Sequence, residues 1–555
     1  MPSVPAADLV LRGGSVHTVD PGKPYAEAVA VRAGRIAAVG SNREVDAWIG
    51  RRTRVVELRG RSLLPGFQDA HCHPCTSGLD QLRCDLLDIH PAPAVYRAIA
   101  TYVDAHRDDP WIIGSGWHMA DFPAGVPHRR DLDAVVGDRP AYLENRDGHS
   151  AWVSTRALEL ARIDASTPDP EGGRIEREPD GTPTGALHEA AMDLVLDLVP
   201  PATPDEVERG LLAAQRYFHS LGITGWQDAS VRPTCQAAYE ALAGRGQLSA
   251  RVVGAMTFEA GWDVDAIEGL VERRAHGPIG RFAATSVKLF LDGVLETFTG
   301  ALLDPYLGRD GGGPDRGGSA DGRGMLVHEP EVLRRVVIAL DSAGLQVHMH
   351  AIGDRAVREG LDAVEAALAA NGPTDGRHQL AHVQVIQPVD VARFAPLGVI
   401  ANGQPLWACH EPQMDVLTIP FLGPDRTAMQ YPFGSLVRAG ARLAFGSDWG
   451  VSTANVFDEM HVAVERSSPD PGVAEPFLPE EAVSLEQAVH AFTLGAAFAN
   501  HLDDRTGSIT PGKLADVVVV DRDLFDRAAG QIADCRAIAT FVEGAAVFED
   551  PALEG

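Results

Sequence analysis

The feature that most limits the fold of this chain is a series of eight apolar, β-rich segments, each followed by a helical pattern or a loop. Short strands that alternate with helices form a parallel sheet with helices packed outside it. Eight such units are the number that closes a (β/α)8 barrel. We therefore predict a barrel over residues 62–500, with strands at 62–73, 222–229, 250–256, 284–293, 345–351, 377–383, 398–405 and 442–448.

The two ends of the chain have a different pattern from the middle. Residues 8–60 contain short, partly alternating β-branched runs separated by Gly, Pro or Asp, and the same style returns after residue 506. Such runs are typical of antiparallel strands. We predict that residues 1–61 and 501–555 pair into one small β-sandwich, which would bring the two ends of the chain together.

Two gaps between the predicted strands are too long for ordinary loops of a barrel. Residues 74–205 separate the first strand from the helix before the second, and we interpret them as an inserted subdomain over the barrel mouth. Residues 307–324 are rich in Gly and Asp, which is typical of a flexible loop that can serve as a lid.

The charge of the chain limits its partners, and its cysteine content indicates where it is located. The formal net charge is −29, so the surface repels nucleic acid and anionic lipid, and we expect neither as a partner. The N-terminus has no secretory pattern, and no apolar run reaches membrane-spanning length. The six cysteines lack the spacing of a disulfide framework. We therefore expect a cytoplasmic protein without a disulfide framework.

Polar side chains occur where the predicted barrel strands end, which is the end that holds the active site in such barrels. The first strand ends in His71-Cys72-His73, and alternation along a strand puts both histidines on one face. Two imidazoles on one face can chelate a divalent cation. A lone strand histidine is more often a hydrogen-bonded core residue, but six candidates share this rim: His71, His73, Lys288, His350, His382 and Asp448.

Several motifs in order resemble the amidohydrolase superfamily, specifically its YtcJ-like branch (amidohydrolase family 3), which is similar to N-substituted formamide deformylases. The resemblance covers nearly the whole chain. The segments that carry it include LPGFQDAHCH, ENRDGHSAW, PTGALHE, GITGWQDA, VKLFLDGVLE, HMHAIGDRAV, RHQLAH, FGSDW and GSITPGKLADVVVVD. It implies an α/β fold, a distorted TIM (β/α)8 barrel with a composite β-sandwich. A homodimer is expected by analogy alone.

The resemblance also implies a set of metal ligands. It assigns one ion to His71, His73 and Asp448 and a second to His350 and His382. A carboxylated Lys288 would bridge the two ions, because a carbamate supplies the oxygens that an ammonium lacks. The alternative is an unmodified lysine paired with Asp292 or another acid. Zinc suits these ligands, and manganese, iron or cobalt would also fit.

The implied activity is hydrolysis of a non-peptide carbon–nitrogen bond in a small molecule by metal-activated water. Asp448 would be the general base and then the general acid. We expect His149 and Trp449 to contact substrate, although a structural role for His149 is equally open, and His348 would support the ligands or belong to the core. The alternatives are a one-metal deaminase-like aminohydrolase, a lactone or ester hydrolase and a non-catalytic barrel.

Two segments depart from the pattern of the superfamily branch. The continuation of the fourth strand reads DGVLETFTG where many relatives have DGSLGSRTA, and the segment after the seventh strand reads LWACHEPQMD. Loops at these positions contact substrate, so the specificity of a relative does not carry over to this chain.

Overall fold

The computed structural model describes residues 6–170, 172–308, 321–470, 472–473, 475–526, 528 and 530–553. The predicted lid at 307–324 therefore lies mostly outside the described residues. The strands are β1 Leu9–His17, β2 Tyr25–Arg32, β3 Arg35–Gly40, β4 Arg54–Glu57, β5 Ser62–Pro65, β6 Phe67–Cys72, β7 Cys84–Asp85, β8 Ile112–Trp117, β9 Ala141–Asn145, β10 Ser150–Val153, β11 Gly173–Arg177, β12 Pro183–Glu189, β13 Ile223–Val231, β14 Arg251–Thr257, β15 Phe282–Phe290, β16 Gln346–Ala351, β17 Gln379–His382, β18 Ile400–Gly403, β19 Arg442–Phe445, β20 Val517–Val520, β21 Ala537–Val542 and β22 Ala545–Glu549.

Ten described helices have seven or more residues. They are α1 Pro74–Asp80, α2 Ala92–Ala105, α3 Arg129–Val136, α4 Thr155–Ala161, α5 Pro204–Ser220, α6 Pro233–Gly244, α7 Ile267–Arg274, α8 Pro330–Ser342, α9 Asp354–Asn371 and α10 Val456–Glu465. Shorter helices span Asn42–Asp46, Asp193–Leu196, Pro388–Val391, Phe394–Leu397, Ile419–Leu422, Pro424–Thr427, Phe433–Arg438, Leu485–His490 and Ala496–Ala499. No helix in the described part of the chain has both the length and the hydropathy to span a lipid bilayer.

The centre of the molecule is the predicted barrel. Its eight strands are parallel and follow the order β6, β13, β14, β15, β16, β17, β18 and β19. Several hydrogen bonds cross the seam between the last and first strands. Asp448 N–H donates to the carbonyl of His71 at 2.7 Å, His73 N–H donates to the carbonyl of Trp449 at 2.6 Å, and Ser447 N–H donates to Asp69 Oδ1 at 3.0 Å. The barrel is therefore nearly closed, and the predicted fold class is confirmed.

The first predicted strand, 62–73, is two strands in the structure. Residues 62–65 form β5, which pairs with β1 and β20, and only β6 belongs to the barrel. The change of sheet occurs at Gly66, where a Cβ atom would lie 2.4 Å from the side chain of Thr224. The close approach of a barrel strand thus requires glycine here, and the predicted boundary at residue 62 falls four residues before this point.

The chain ends form one eight-stranded sheet rather than two separated layers. Its order is β22, β21, β20, β5, β1, β2 and β3, and β4 pairs with β1 on the side of β5. A second sheet lies inside the predicted insertion, with the order β11, β12, β10, β9, β8 and β7. The insertion is therefore an α/β unit of its own, attached between α1 and α5.

A disulfide joins Cys75 of α1 to Cys235 of α6, whereas Cys72, Cys84, Cys409 and Cys535 are buried and free. The expectation of no disulfide was wrong for this pair. The two cysteines are 160 residues apart in sequence, so their spacing carried no signal. They meet only because the barrel packs the helices after its first two strands side by side.

Candidate active site

The structure brings all six predicted ligand residues together at the carboxyl end of the barrel. Five of them line a cavity of about 670 Å³, a volume that includes its open mouth: His73, Lys288, His350, His382 and Asp448. His71 lies directly beneath them and is fully buried. Each residue stands at or just after the end of a different part of the barrel wall, as the sequence predicted.

Three of these side chains form a cluster suited to a metal ion. The donor atoms of His71, His73 and Asp448 all lie within 4.8 Å of one another. Asp448 Oδ1 is 3.0 Å from His73 Nε2 and 3.6 Å from His71 Nε2, yet in the described part of the chain this buried oxygen accepts no hydrogen bond. A buried carboxylate oxygen without a partner is costly, and a cation between these atoms would satisfy it.

His350 and His382 form a second pair beside this cluster, with ring centroids 4.5 Å apart. His382 Nδ1 is buried without a hydrogen-bond partner among the described residues and lies 3.8 Å from Asp448 Oδ2. Burial and the neighbouring positive charges lower the pKa of both rings well below the usual value. The rings are therefore neutral, the state in which imidazole binds cations.

The backbone, rather than strand alternation, turns His382 into the site. Leu380 contacts the position of Gly360 on α9, outside the barrel, and simple alternation would put His382 on that same side. His382 instead has φ 72°, in the left-handed region, at the last residue of β17. This uncommon conformation reverses the side chain at the rim and marks the residue as constrained.

Lys288 lies at the bottom of the cavity, with Nζ 3.2 Å from His71 Nε2. Burial lowers the pKa of this amine to about 8, against the attraction of Asp448 and Asp228. A lowered pKa increases the neutral fraction, which is the form that reacts with carbon dioxide. The alternative pairing with Asp292 is absent in the described structure, since that carboxylate accepts backbone N–H groups from Ala301, Ile352 and Gly353.

A chain of hydrogen bonds beneath the cavity fixes the proton on His71. Gln346 Nε2 donates to the carbonyls of Arg377 and Ala499, so its oxygen must accept from Gln227 Nε2. Gln227 Oε1 then accepts from His348 Nδ1 at 3.0 Å. His348 Nε2 is consequently the bare nitrogen, and His71 Nδ1 donates to it at 2.7 Å. His71 Nε2 is left with its lone pair toward the metal cluster.

His149 reaches the cavity from the inserted subdomain, as predicted. Its ring lies 5.6 Å from that of His350, and Nδ1 is 2.9 Å from Glu189 Oε2. Burial lowers the pKa of His149, but the charge of Glu189 outweighs burial and raises it to about 9. The side chain is therefore a protonated donor beside His350.

Trp449 does not line the cavity, so the expectation that it contacts substrate there is wrong. Its buried ring packs against Tyr217 and Phe218 and borders a different depression. The aromatic wall of the cavity is Trp407 instead, whose ring stacks on His382 with centroids 5.4 Å apart. The side chain after Asp448 points away from the cavity because the chain turns at Asp448, which has φ 52°.

The sequence analysis missed the residues of the outer half of the cavity. These are Arg146, Asp147, Glu296, Glu411, Gln413 and Tyr431, all of which lie outside the barrel strands. All but Tyr431 fall in segments that had been singled out, either for motif resemblance or for departure from the pattern. No side-chain role could be assigned from those segments because loop geometry sets their direction.

The sequence is similar to a known protein family over most of its length. Residues 54–548 match the model of the amidohydrolase family. Three relatives match over almost the whole chain: Protein LONG AFTER FAR-RED 3 of Arabidopsis thaliana (31% identity, 97% of this chain, 91% of that protein), putative amidohydrolase YtcJ of Bacillus subtilis strain 168 (30%, 97% and 99%) and N-substituted formamide deformylase of Arthrobacter pascens (27%, 98% and 98%).

A solved structure has a similar fold. The crystal structure of an uncharacterized metal-dependent hydrolase from Pyrococcus horikoshii OT3 superposes with a TM-score of 0.72. The match covers 94% of this chain and 99% of the other, at 24% identity. At this level of identity the similarity concerns the fold alone.

Proposed function

The chain belongs to the amidohydrolase family, and from this premise we propose that it is a metal-dependent hydrolase that cleaves a non-peptide carbon–nitrogen bond of an amide, formamide or cyclic amide. The observation that carries the proposal is the cluster of His71, His73 and Asp448, whose donor atoms lie within 4.8 Å of one another. The full-length similarity to an N-substituted formamide deformylase supports the choice of bond.

The donor set fits divalent cations. His71, His73 and Asp448 would hold one ion, and His350 with His382 would hold a second, with zinc as the first choice for these nitrogen and oxygen ligands. Lys288, carboxylated at Nζ, would bridge the two. The buried, unpartnered atoms Asp448 Oδ1 and His382 Nδ1 are the two positions that such ions would satisfy. When bound, the ions would make water acidic enough to attack at neutral pH and would polarise the carbonyl oxygen.

The side chains of the protein would supply the proton transfers. Asp448 takes the proton of the attacking water and delivers it to the leaving nitrogen, which needs a proton because an amide anion is a poor leaving group. His149, held protonated by Glu189, donates a hydrogen bond to the substrate oxygen as negative charge develops there. His348 is a positioning residue, since it acts through the tautomer of His71.

Two substitutions test the assignment. His73→Ala should remove most of the bound metal, and Asp448→Asn should keep metal, because an amide oxygen can still ligate. Both should lower turnover of N-formyl or N-acyl amines, and removal of proton transfer at Asp448 alone should cost about 10²- to 10⁴-fold. Metal analysis per chain and assays on amide, formamide, cyclic amide and ester substrates provide the readout.

The matched control is His276→Ala, at an exposed histidine outside the site. This variant should keep both metal and activity. Near-normal activity in both site variants would reject the proposal. One ion per chain with unmodified Lys288 would replace the two-metal site with the one-metal alternative, and a preference for esters would overturn the choice of bond.

A cytoplasmic location and a homodimer stay predictions. Sedimentation of the purified protein measures the oligomeric state. Titration of free thiols in a cell extract measures whether Cys75 and Cys235 are joined in the cell, which bears on the location because cytosolic disulfides are rare.

A further inference from the structure

The outer half of the cavity is rich in hydrogen-bond acceptors. Among the residues that the structure describes, three carboxylates, Asp147, Glu296 and Glu411, line it together with one guanidinium, that of Arg146. Glu296 lies in the segment DGVLETFTG and Glu411 in LWACHEPQMD, which are the two segments that depart from the pattern of the superfamily branch. Two of the three acids therefore come from segments that depart from that pattern.

The guanidinium of Arg146 is paired with two of these three carboxylates. Arg146 Nε donates to Asp147 Oδ1 at 3.3 Å, and Nη2 donates to Glu411 Oε1 at 3.2 Å. Nη1 donates to His118 Nδ1 at 3.1 Å, since His118 Nε2 uses its proton on the carbonyl of Leu87. Each of its three nitrogens thus has a protein acceptor, although two of the five N–H groups are not used in these bonds, and the guanidinium neutralises Asp147 and Glu411.

The side-chain amide of Gln413 has an oxygen that lacks a hydrogen-bond donor. Its Nε2 donates to Asp147 Oδ2 at 3.1 Å, and because a carboxylate only accepts, this contact fixes which end of the amide is nitrogen. The opposite atom, Oε1, is buried and has no hydrogen-bond partner in the described structure, although Gln413 is only 8% exposed and lines the cavity. An N–H group from a ligand would satisfy it.

Glu296 also lacks a cationic partner among the described residues. Its Oε1 accepts from Thr418 Oγ1 at 2.7 Å, and no other side chain of the described residues donates to this carboxylate. Burial, with the charge of Asp147 added to it, raises the pKa of this carboxyl to about 7. A positive charge placed beside it would reverse that shift and offset the cost of burying the carboxylate.

From this geometry we infer that the substrate carries a positively charged nitrogen, as an ammonium or a similar N–H-rich cation, remote from the bond that is cleaved. The cation would be bound by Glu296 and Gln413 Oε1, while Glu411 stays paired with Arg146. The inference rests on the proposed function, because it places the reacting carbonyl at the metal cluster. A substrate with a carboxylate at this end would be repelled by Glu296, which forms no salt bridge within the described part of the chain.

Matched substrates test the inference. N-formyl-1,5-diaminopentane carries a free ammonium, N-formylpentylamine is neutral, and N-formyl-6-aminohexanoic acid is anionic. A second series of anilides, of 6-aminohexanoic acid, hexanoic acid and adipic acid, moves the charge to the acyl side. In one of the series kcat/KM should be about 10- to 100-fold higher for the cation than for the neutral compound, as expected for a hydrogen-bonded ion pair. Equal or reversed preference in both series would overturn the inference.

Glu296→Gln is the decisive variant, because it keeps the shape and the contact with Thr418 but removes the charge. The ratio of kcat/KM for cationic over neutral substrate should fall at least about tenfold. Glu268→Gln, at an exposed carboxylate on α7, should keep the wild-type ratio. An unchanged ratio in Glu296→Gln, with metal content intact, would remove Glu296 from the binding site.

Failure of the proposed function gives a different result. If none of the amides is hydrolysed, calorimetric binding of 1,5-diaminopentane and of pentylamine still tests the cation site. Tighter binding of the diamine that Glu296→Gln abolishes would support the inference while the hydrolase proposal fails. Equal binding of the two amines would overturn the inference as well.

Discussion

The proton on a single ring nitrogen of His71 is determined by two main-chain carbonyls far below it. Those carbonyls orient Gln346, which orients Gln227, which in turn decides which nitrogen of His348 carries its proton. All the side chains in this relay are buried in the barrel interior. Because each link has only one consistent direction, the lone pair of His71 Nε2 is prepared before any cation binds.

Gln227→Met should weaken metal binding without removing a ligand. The thioether cannot accept from His348 Nδ1 as an amide oxygen does, so the tautomer of His71 is no longer fixed. We expect metal affinity to fall about 10- to 100-fold, as is typical for loss of a group that supports a ligand. Competition with a chelator measures this affinity.

Gln236→Met is the matched control for Gln227→Met. Gln236 is also a buried glutamine with side-chain partners, but it lies on α6 and contacts Glu240 and Arg273. Its replacement should lower stability while metal affinity stays at the wild-type value. Equal affinities in the two variants would show that the relay has no part in metal binding.

At the residue scale, the sequence was sufficient to predict that these six side chains lie together, but not what surrounds them. His71 and His73 share a face by strand alternation, and the other ligands stand at strand ends, so the barrel alone brings them together. His382 reaches the site through a left-handed backbone, and Trp449 leaves it after the turn at Asp448. Backbone reversals of this kind depend on tertiary contacts, which a local pattern does not contain.

At the scale of elements, the position of His73 depends on how closely two helices pack. α1 begins immediately after His73, and its Gly78 faces Gly210 of α5. A Cβ atom on Gly210 would lie 2.7 Å from the backbone nitrogen of Leu79, and one on Gly78 would lie 2.3 Å from the carbonyl oxygen of Gly210. The two backbones are therefore in contact, and no side chain can fit between them.

Gly210→Ala should push α1 away from α5. We expect the free energy of unfolding to fall by about 1–3 kcal/mol, the usual cost of overpacking, and metal content to fall because the start of α1 carries His73. Gly269→Ala is the control, since this helical glycine of α7 has no atom within 4 Å of its Cβ position. That change should raise stability by about 0.4–1 kcal/mol. Urea unfolding compares the two, and equal stability would contradict close packing at Gly210.

The eight barrel strands were predictable because periodicity and turn residues are local properties of a sequence. The change of sheet at Gly66 and the disulfide between Cys75 and Cys235 were not predictable. Both depend on which distant segment of the chain packs against these residues. Thr224, the residue that requires glycine at position 66, is more than 150 residues away in sequence.

At the scale of the whole molecule, the sheet from the chain ends and the barrel are joined by a buried ionic contact. Arg251, at the start of β14, donates to Asp516 Oδ2 at 2.8 Å and to Glu543 Oε1 at 2.8 Å. The side chains of Arg251 and Asp516 are 12% and 3% exposed. Because the last 55 residues contribute β20, β21 and β22, this contact holds the end of the chain to the side of the barrel.

Arg251→Met should lower the free energy of unfolding by about 3–5 kcal/mol at neutral pH, because it leaves Asp516 buried without its counter-charge. Arg251→Met combined with Asp516→Asn should cost less, since no unpaired charge remains. Urea unfolding of wild type, Arg251→Met, Asp516→Asn and the double variant completes a double-mutant cycle. Additive losses would show that the pair is not coupled.

The same contact predicts how stability responds to acid. Burial raises the pKa of Glu543, but hydrogen bonding and attraction from Arg251 outweigh burial and lower it below its usual value of 4.5. A carboxyl whose folded pKa is depressed contributes stability above its unfolded pKa and loses it as the pH falls through the folded pKa. The difference in unfolding free energy between wild type and Arg251→Met should therefore shrink as the pH falls from about 6 to about 3. A difference that stays constant over this range would mean that Arg251 stabilises the junction by packing alone, and that the barrel and the sheet from the chain ends are not held together by charge.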